Sequence, residues 1–168
     1  SATVGLLSEV DLRQVLEETG FPAPLLELEI TEHVTAREPE TTLRILRELK
    51  ALGVTIAIDD FGIGYSSLSY LQMLPIDRLK IDRAFVSSLA VDRRGEAICR
   101  TILDMSRNLG LMTLAEGIEV PAQHRALLDY GCEEGQGFLF ARPMSARDTA
   151  EWLGCGSTVE MPARRLAG

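Results

Sequence analysis

Short apolar runs alternate with amphipathic stretches along the chain, and the two follow different periods. The runs at residues 25–30, 54–58, 78–81, 111–115 and 137–140 read as strands. They are largely apolar, as parallel strands covered on both faces are. The stretches between them carry helix start and stop signals. Ser8 is placed to cap a helix, with Asp11 three residues on, Leu12, Val15 and Leu16 as its stripe, and Gly20 as its stop. Pro39 suits a first helical position; Leu43, Leu46 and Leu49 follow at helical spacing before Gly53. Ile98, Ile102 and Met105 share one face of a helix over 97–109 that ends at Gly110. A further helix over 121–130 ends at Gly131, and Ser145 with Asp148 opens a last one that stops at Gly154. Residues 155–168 show no periodicity and read as a flexible tail, which leaves 1–154 as one structural unit.

The order is β-α repeated, the fold class is α/β, and such alternation implies a parallel sheet with right-handed crossovers. A (β/α)8 barrel takes roughly 31 residues per unit, about 250 in all. The strand spacing here matches that unit, and five units fit the last five of eight. An open doubly wound sheet is the architectural alternative, although no GxGxxG stands in the chain.

Strand parity turns this pattern into chemistry, because successive residues point to opposite faces. Leu26, Leu28 and Ile30 are expected to face the helices and Glu27 and Glu29 the interior. The same parity points Thr55, Ala57 and Asp59 inward, with Asp60 just past the strand where the chain starts to turn. Lys80 and Asp82 share a face opposite Leu79 and Ile81, and Glu116 ends the strand of 111–115. Acidic residues thus gather at the C-terminal ends of successive strands, where α/β folds place their sites. One lysine cannot neutralise Glu29, Asp59, Asp60 and Glu116, whereas hard divalent cations such as Mg²⁺ or Mn²⁺ can. The competing reading is a buried salt-bridge network built on Lys80, Arg78 or Arg83. The loop Phe61-Gly62-Ile63-Gly64 follows the acidic pair, and its glycines let backbone amides approach a ligand.

The totals narrow the partners. The 168 residues carry a net charge of −8, which argues against a nucleic-acid polymer as partner. Cys99, Cys132 and Cys155 lack metal-ligand spacing and read as thiols of a reducing cytosol. His33 and His124 are isolated, so a histidine-based metal site is not expected. No apolar run approaches the roughly 20 residues that span a bilayer. The reading is a cytoplasmic protein, with room for a membrane anchor upstream.

The segments Leu28-Glu29-Ile30-Thr31-Glu32, Asp59-Asp60-Phe61-Gly62-Ile63-Gly64-Tyr65-Ser66-Ser67-Leu68, Lys80-Ile81-Asp82, Ala115-Glu116-Gly117-Ile118-Glu119, Gln136-Gly137-Phe138 and Arg142-Pro143 resemble the EAL domain, in order and at its spacing. That family is a (β/α)8 barrel that hydrolyses the bacterial second messenger cyclic di-GMP to linear pGpG with Mg²⁺ or Mn²⁺. The resemblance implies that Glu29, Asp59, Asp60, Glu116 and Glu119 ligate or border two metals. It implies that Lys80 holds and helps activate the attacking water, with Glu116 and Gln136 supporting catalysis. It makes Glu32 the anchor of the Asp-Phe-Gly loop and Asp82 a partner behind the ligands. It further implies a homodimer through the loop and helix after Asp60, and upstream sensory or GGDEF domains. Two metals about 3.5–4 Å apart would serve an in-line phosphoryl displacement.

Two departures stand out. The resemblance begins past the Glu-Ala-Leu motif and the asparagine strand of the family, and Ile63 stands where a threonine is usual. The expectation is therefore that residues 1–168 alone are not a competent phosphodiesterase, and that the strands of 25–30 and 137–140 leave open edges that associate. Two further readings stay in play: a module that binds cyclic di-GMP without hydrolysing it, and an interaction domain.

Overall fold

The protein is described here from a computed structural model, which covers residues 9–32, 39–62, 71–89 and 91–154. The expectations on Ser8, His33, Ile63, Cys155 and the tail of 155–168 lie outside these residues. The described strands form one sheet in the order β1 (Glu27–Thr31), β2 (Thr55–Phe61), β3 (Arg78–Ile81), β4 (Met112–Ala115) and β5 (Glu134–Gly135), every neighbouring pair parallel. Among the described residues, helices α1 (Glu9–Thr19), α2 (Pro39–Ala51), α3 (Arg83–Ser88), α4 (Arg93–Asn108), α5 (Pro121–Asp129) and α6 (Ala146–Gly154) precede, connect and follow the strands, and a 3₁₀ turn stands at Ala23–Leu25. A doubly wound sheet reverses its strand order at a switch point; here spatial and sequence order coincide, which is the arrangement of part of a (β/α) barrel.

Local chemistry explains most of the boundaries. The Asp92 side chain accepts from Arg94 N and Gly95 N, so α4 opens four residues before the expected 97. Ser145 and Asp148 cap α6 reciprocally: Ser145 Oγ donates to Asp148 Oδ2 at 2.8 Å, and Asp148 N donates to Ser145 Oγ at 3.2 Å. The short α3 was not expected from the sequence; Asp82 caps it, accepting from Ala84 N at 2.7 Å. Asp77, just ahead of β3, accepts from Lys50 Nζ at 2.8 Å and from Ile56 N at 2.8 Å, and so pins the end of α2 to β2.

One expected strand is corrected. Residues 137–140 turn back, with Phe140 N donating to Gly137 O at 3.0 Å, and β5 lies earlier at Glu134–Gly135. The chain there runs hard against residue 118: Ile118 N donates to Gln136 O and Leu139 N to Ile118 O. A Cβ on Gly137 would lie 2.2 Å from the Ile118 carbonyl oxygen. Phe140 and Leu139 pack on the core from a turn, which is why an apolar run there mimics a strand.

The core lies between sheet and helices. Ile30, Ile56, Ile58, Leu79 and Ile81 on the outer face join Leu46 and Leu49 of α2, Val86 of α3 and Ile102 and Leu103 of α4 in one buried cluster. Each such side chain contributes about 1.5–3 kcal/mol on burial. The opposite face of the same strands carries Glu27, Glu29, Asp59, Arg78 and Lys80, as parity predicts.

Candidate active site

The alternation breaks once, at the acidic pair. Ile58 pairs with Leu79 and Phe61 with Ile81, so Asp59 and Asp60 together oppose Lys80. This is a β-bulge, with one extra residue on β2. Asp60 lies inside the strand, where the sequence places it just past the end. Its φ of 54° is left-handed, a region aspartate tolerates better than most residues. The bulge returns Phe61 to the buried outer face while Asp59 still points inward.

On the inner face three carboxylates close on one ammonium. Lys80 Nζ lies 2.7 Å from Glu29 Oε1, 3.0 Å from Asp59 Oδ1 and 2.8 Å from Glu116 Oε1. The partners come from β1, β2 and the end of β4, on either side of β3. Lys80 is only 5% exposed. Burial alone would lower its pKa, but hydrogen bonds to Glu116, Glu29 and Asp59 override burial and hold the ammonium above the usual lysine value. Gln136 Nε2 donates to Glu116 Oε1 at 2.9 Å, so that oxygen is shared by lysine and amide.

Around this centre the remaining expected residues take distinct places. The Asp60 carboxyl is pushed up by burial, then by the charges of Asp59 and Asp82 and by a hydrogen bond with Asp82. Glu32, 3% exposed, accepts from Gly62 N at 3.2 Å and so touches the start of the glycine loop. Glu119 pairs with Arg83 at 2.8 Å, and its backbone N–H donates to Gln123 Oε1 at 2.8 Å. The structure thus gathers Glu29, Asp59 and Glu116 on Lys80, with Gln136 on Glu116, sets Asp60 with Asp82 beside them, and gives Glu119 a partner of its own.

A cleft of about 510 Å³ opens next to Glu116, between Gln136, Arg83, Phe138, Arg142 and Trp152. The Arg142 guanidinium stands 4.6 Å from the Phe138 ring centre. Sequence reasoning did not single out Gln123, Glu134 or Trp152. Glu134 had a signal, since it precedes Gln136 by two residues and shares its parity.

Among the described residues no three Asp, Glu, His or Cys side chains already stand together as a metal shell. The donor set nonetheless fits a hard cation. Three carboxylates against one ammonium leave two negative charges uncompensated, and every donor is a carboxylate oxygen. The salt-bridge network weighed at the outset is present; it does not neutralise the site.

The profile of the EAL domain matches residues 8–143. The chain belongs to the EAL domain family. A Pseudomonas aeruginosa relative, the cyclic di-GMP phosphodiesterase NbdA, is 42% identical over 154 residues, 91% of this chain and 20% of its own. The structure of the PaMucR phosphodiesterase in complex with c-di-GMP aligns with a TM-score of 0.81 at 44% identity, covering 83% of this chain and 57% of that one. Klebsiella pneumoniae BlrP1, solved as a manganese/cy-diGMP complex, aligns with a TM-score of 0.73 at 32% identity, covering 79% of this chain and 34% of that one. This EAL domain chain spans about one fifth of the length of the curated relatives it matches.

Proposed function

We propose that the intact EAL domain of which this chain is a part hydrolyses cyclic di-GMP to linear pGpG with two Mg²⁺ or Mn²⁺ ions. The observation that carries the reading is the convergence of Glu29, Asp59 and Glu116 on Lys80 with two negative charges left over. The names of NbdA, PaMucR and BlrP1 support the substrate, and the manganese complex of BlrP1 supports the divalent ion.

Glu29, Asp59, Asp60, Glu116 and Glu119 would hold the ions. When bound, the ions would polarise the phosphoryl group and make water a nucleophile near neutral pH. Lys80 stays charged and, once an ion takes over one of its three carboxylate partners, would donate a hydrogen bond toward the attacking water and stabilise charge on the phosphoryl oxygens. Gln136 orients Glu116, and Asp82 orients Asp60 from the cap of α3. Glu32 holds the glycine loop through Gly62 N. In the balanced reaction one P–O bond forms to the water oxygen, one P–O bond of the ring breaks, and a proton ends on the released hydroxyl.

A homodimer through the loop and helix expected after Asp60 belongs to this reading, and residues 63–70, on which that expectation falls, lie outside the described residues. Sensory or GGDEF domains upstream would regulate the site, as the bifunctional name of MucR supports. No described helix is long and apolar enough to cross a membrane. A cytoplasmic location fits the free thiols of Cys99 and Cys132.

One observation favours a second reading, a module that binds cyclic di-GMP without cleaving it: the carboxylates are spent on Lys80 and no three donors form a shell among the described residues. The deciding experiment incubates the full-length protein with cyclic di-GMP and Mn²⁺ and separates the products. Hydrolysis to pGpG, stopped by EDTA and restored by excess Mn²⁺, is expected. Binding of cyclic di-GMP with no pGpG would establish the second reading instead.

A further inference from the structure

One inward residue below Lys80, the sheet repeats its arrangement. Arg78 precedes Lys80 by two residues on β3, Glu27 precedes Glu29 by two on β1, and Glu134 of β5 precedes Gln136 by two, where Gln136, just past the strand, still bonds β4 through its N–H to Ala115 O at 2.8 Å. Residues two apart in a strand share a face and are separated by about 6.6–6.8 Å. At this lower level Arg78 Nη1 donates to Glu27 Oε2 at 2.5 Å, and Nη2 donates to Glu134 Oε1 at 3.0 Å. One guanidinium is therefore held by both outer strands of the five. A flat sheet would keep β1 and β5 about 19 Å apart. A side chain on the middle strand that reaches both ties the roll of the sheet together.

We infer that Arg78 is a positioning residue: its fork links β1 to β5 so that Glu29 on one and Gln136 on the other meet Lys80 and Glu116 one level above. Arginine suits the task because its planar guanidinium carries two separate terminal amino groups held at a fixed spacing, so it can serve two carboxylates on different strands at once, as a single ammonium cannot. The tie also keeps Glu27 engaged. Glu27 lies within electrostatic reach of Glu29 and Lys80, and without Arg78 it would add a further uncompensated charge beneath the site.

The inference rests on the proposed function for its activity readout only. The test compares wild type, Arg78→Met, Arg78→Lys and Glu134→Gln in the full-length protein. The measurements are Mn²⁺ affinity by calorimetry, kcat and KM for cyclic di-GMP, and melting temperature. Arg78→Met is expected to weaken Mn²⁺ binding and to lower kcat by about 10-fold or more each, the scale on which partners behind metal ligands act. KM should change less. Arg78→Lys should recover part of both losses, and Glu134→Gln, which frees one arm, should show a smaller loss of the same kind. If Arg78→Met does not fold, Arg78→Lys and Glu134→Gln decide. A lower melting temperature with wild-type Mn²⁺ affinity and wild-type kcat in the folded variants would overturn the inference and leave Arg78 a purely structural residue. A wild type that binds Mn²⁺ but makes no pGpG would sink the proposed reaction, while the Mn²⁺ affinities would still judge Arg78.

Discussion

On the helix-facing side of the sheet, Ile30, Ile56, Ile58, Leu79 and Ile81 are sealed from solvent, whereas the residues alternating with them include Glu27, Glu29, Asp59, Arg78 and Lys80 beside Thr55 and Ala57. Two surfaces of one backbone thus obey opposite rules. The outer face gains from burial in any direction and tolerates residues that keep volume and polarity. The inner face carries charges that cost free energy to desolvate, and Lys80 and Arg78 compensate only part of the carboxylates gathered there. The difference teaches where to look for function in such a fold. Stability is spread over many interchangeable contacts, and chemistry is concentrated in a few that are not.

The comparison breaks most visibly at Asp59. Asp59→Asn in the full-length protein should lower cyclic di-GMP turnover by at least ~100-fold, since changing even a partner behind a metal ligand can cost that much. The melting temperature should barely move. Turnover within a few-fold of wild type, with EDTA controls, would place Asp59 outside the machinery.

The opposite case is Leu46, which is fully buried between α2 and the sheet. Leu46→Ala should cost about 2–5 kcal/mol in denaturant unfolding. At low temperature the folded fraction should keep its kcat. A drop in kcat without a drop in stability would erase the distinction between the faces.

How much of this was legible in the sequence can be read from the same residues. Parity alone placed Glu27, Glu29, Asp59 and Lys80 inward, because a two-residue period survives any uncertainty about strand ends, and Glu116 was read only as the end of its strand. Asp60 was misplaced because a bulge breaks that period. The clue was the return of an apolar residue, Phe61, at the wrong parity after Ile56 and Ile58. The run at 137–140 looked like a strand because burial of Leu139 and Phe140 demands apolar residues whether the chain is extended or turning. The pairing of Glu119 with Arg83, and the tie from Arg78 to Glu27 and Glu134, depend on how far the sheet rolls, and no local pattern carries that. Composition and spacing pointed to a hard cation, and the structure added which three carboxylates, Glu29, Asp59 and Glu116, share the one ammonium of Lys80.

Lys80 sharpens the comparison through pH. Its folded-state pKa lies above the ordinary lysine value of 10.5, so its contribution to stability is fully present below pH 10.5 and is lost only as pH rises through the higher folded value. The stability difference between wild type and Lys80→Met should therefore stay flat from about pH 7 to 9. Turnover of the variant should be lower by about 10²–10³ throughout that range, the span that one preorganised hydrogen-bond donor covers. A stability gap that closes between pH 7 and 9 would contradict the ion cluster.

A smaller effect is expected at the loop. Glu32→Ala removes the acceptor of Gly62 N and should weaken Mn²⁺ affinity and dimerisation together, by about 10-fold in affinity. Unchanged Mn²⁺ titration and unchanged light-scattering mass would remove Glu32 from the account. The smallest effect belongs to the outer face. Burial pushes the Cys99 thiol up to about 12, so it stays protonated and should resist alkylation at pH 8 until denaturant is added. Labelling of Cys99 in the native protein, read by mass spectrometry, would show the outer face to be less sealed than described.

The central claim is that the inner face is a divalent-cation site built from carboxylates that Lys80 cannot neutralise. The most direct test is calorimetric titration of Mn²⁺ into the metal-stripped full-length protein, wild type beside Glu116→Gln. Saturable binding by wild type, weakened by about 10-fold or more in the variant, is the predicted result. Equal Mn²⁺ affinity in the two proteins, or no saturable binding in wild type, would contradict it.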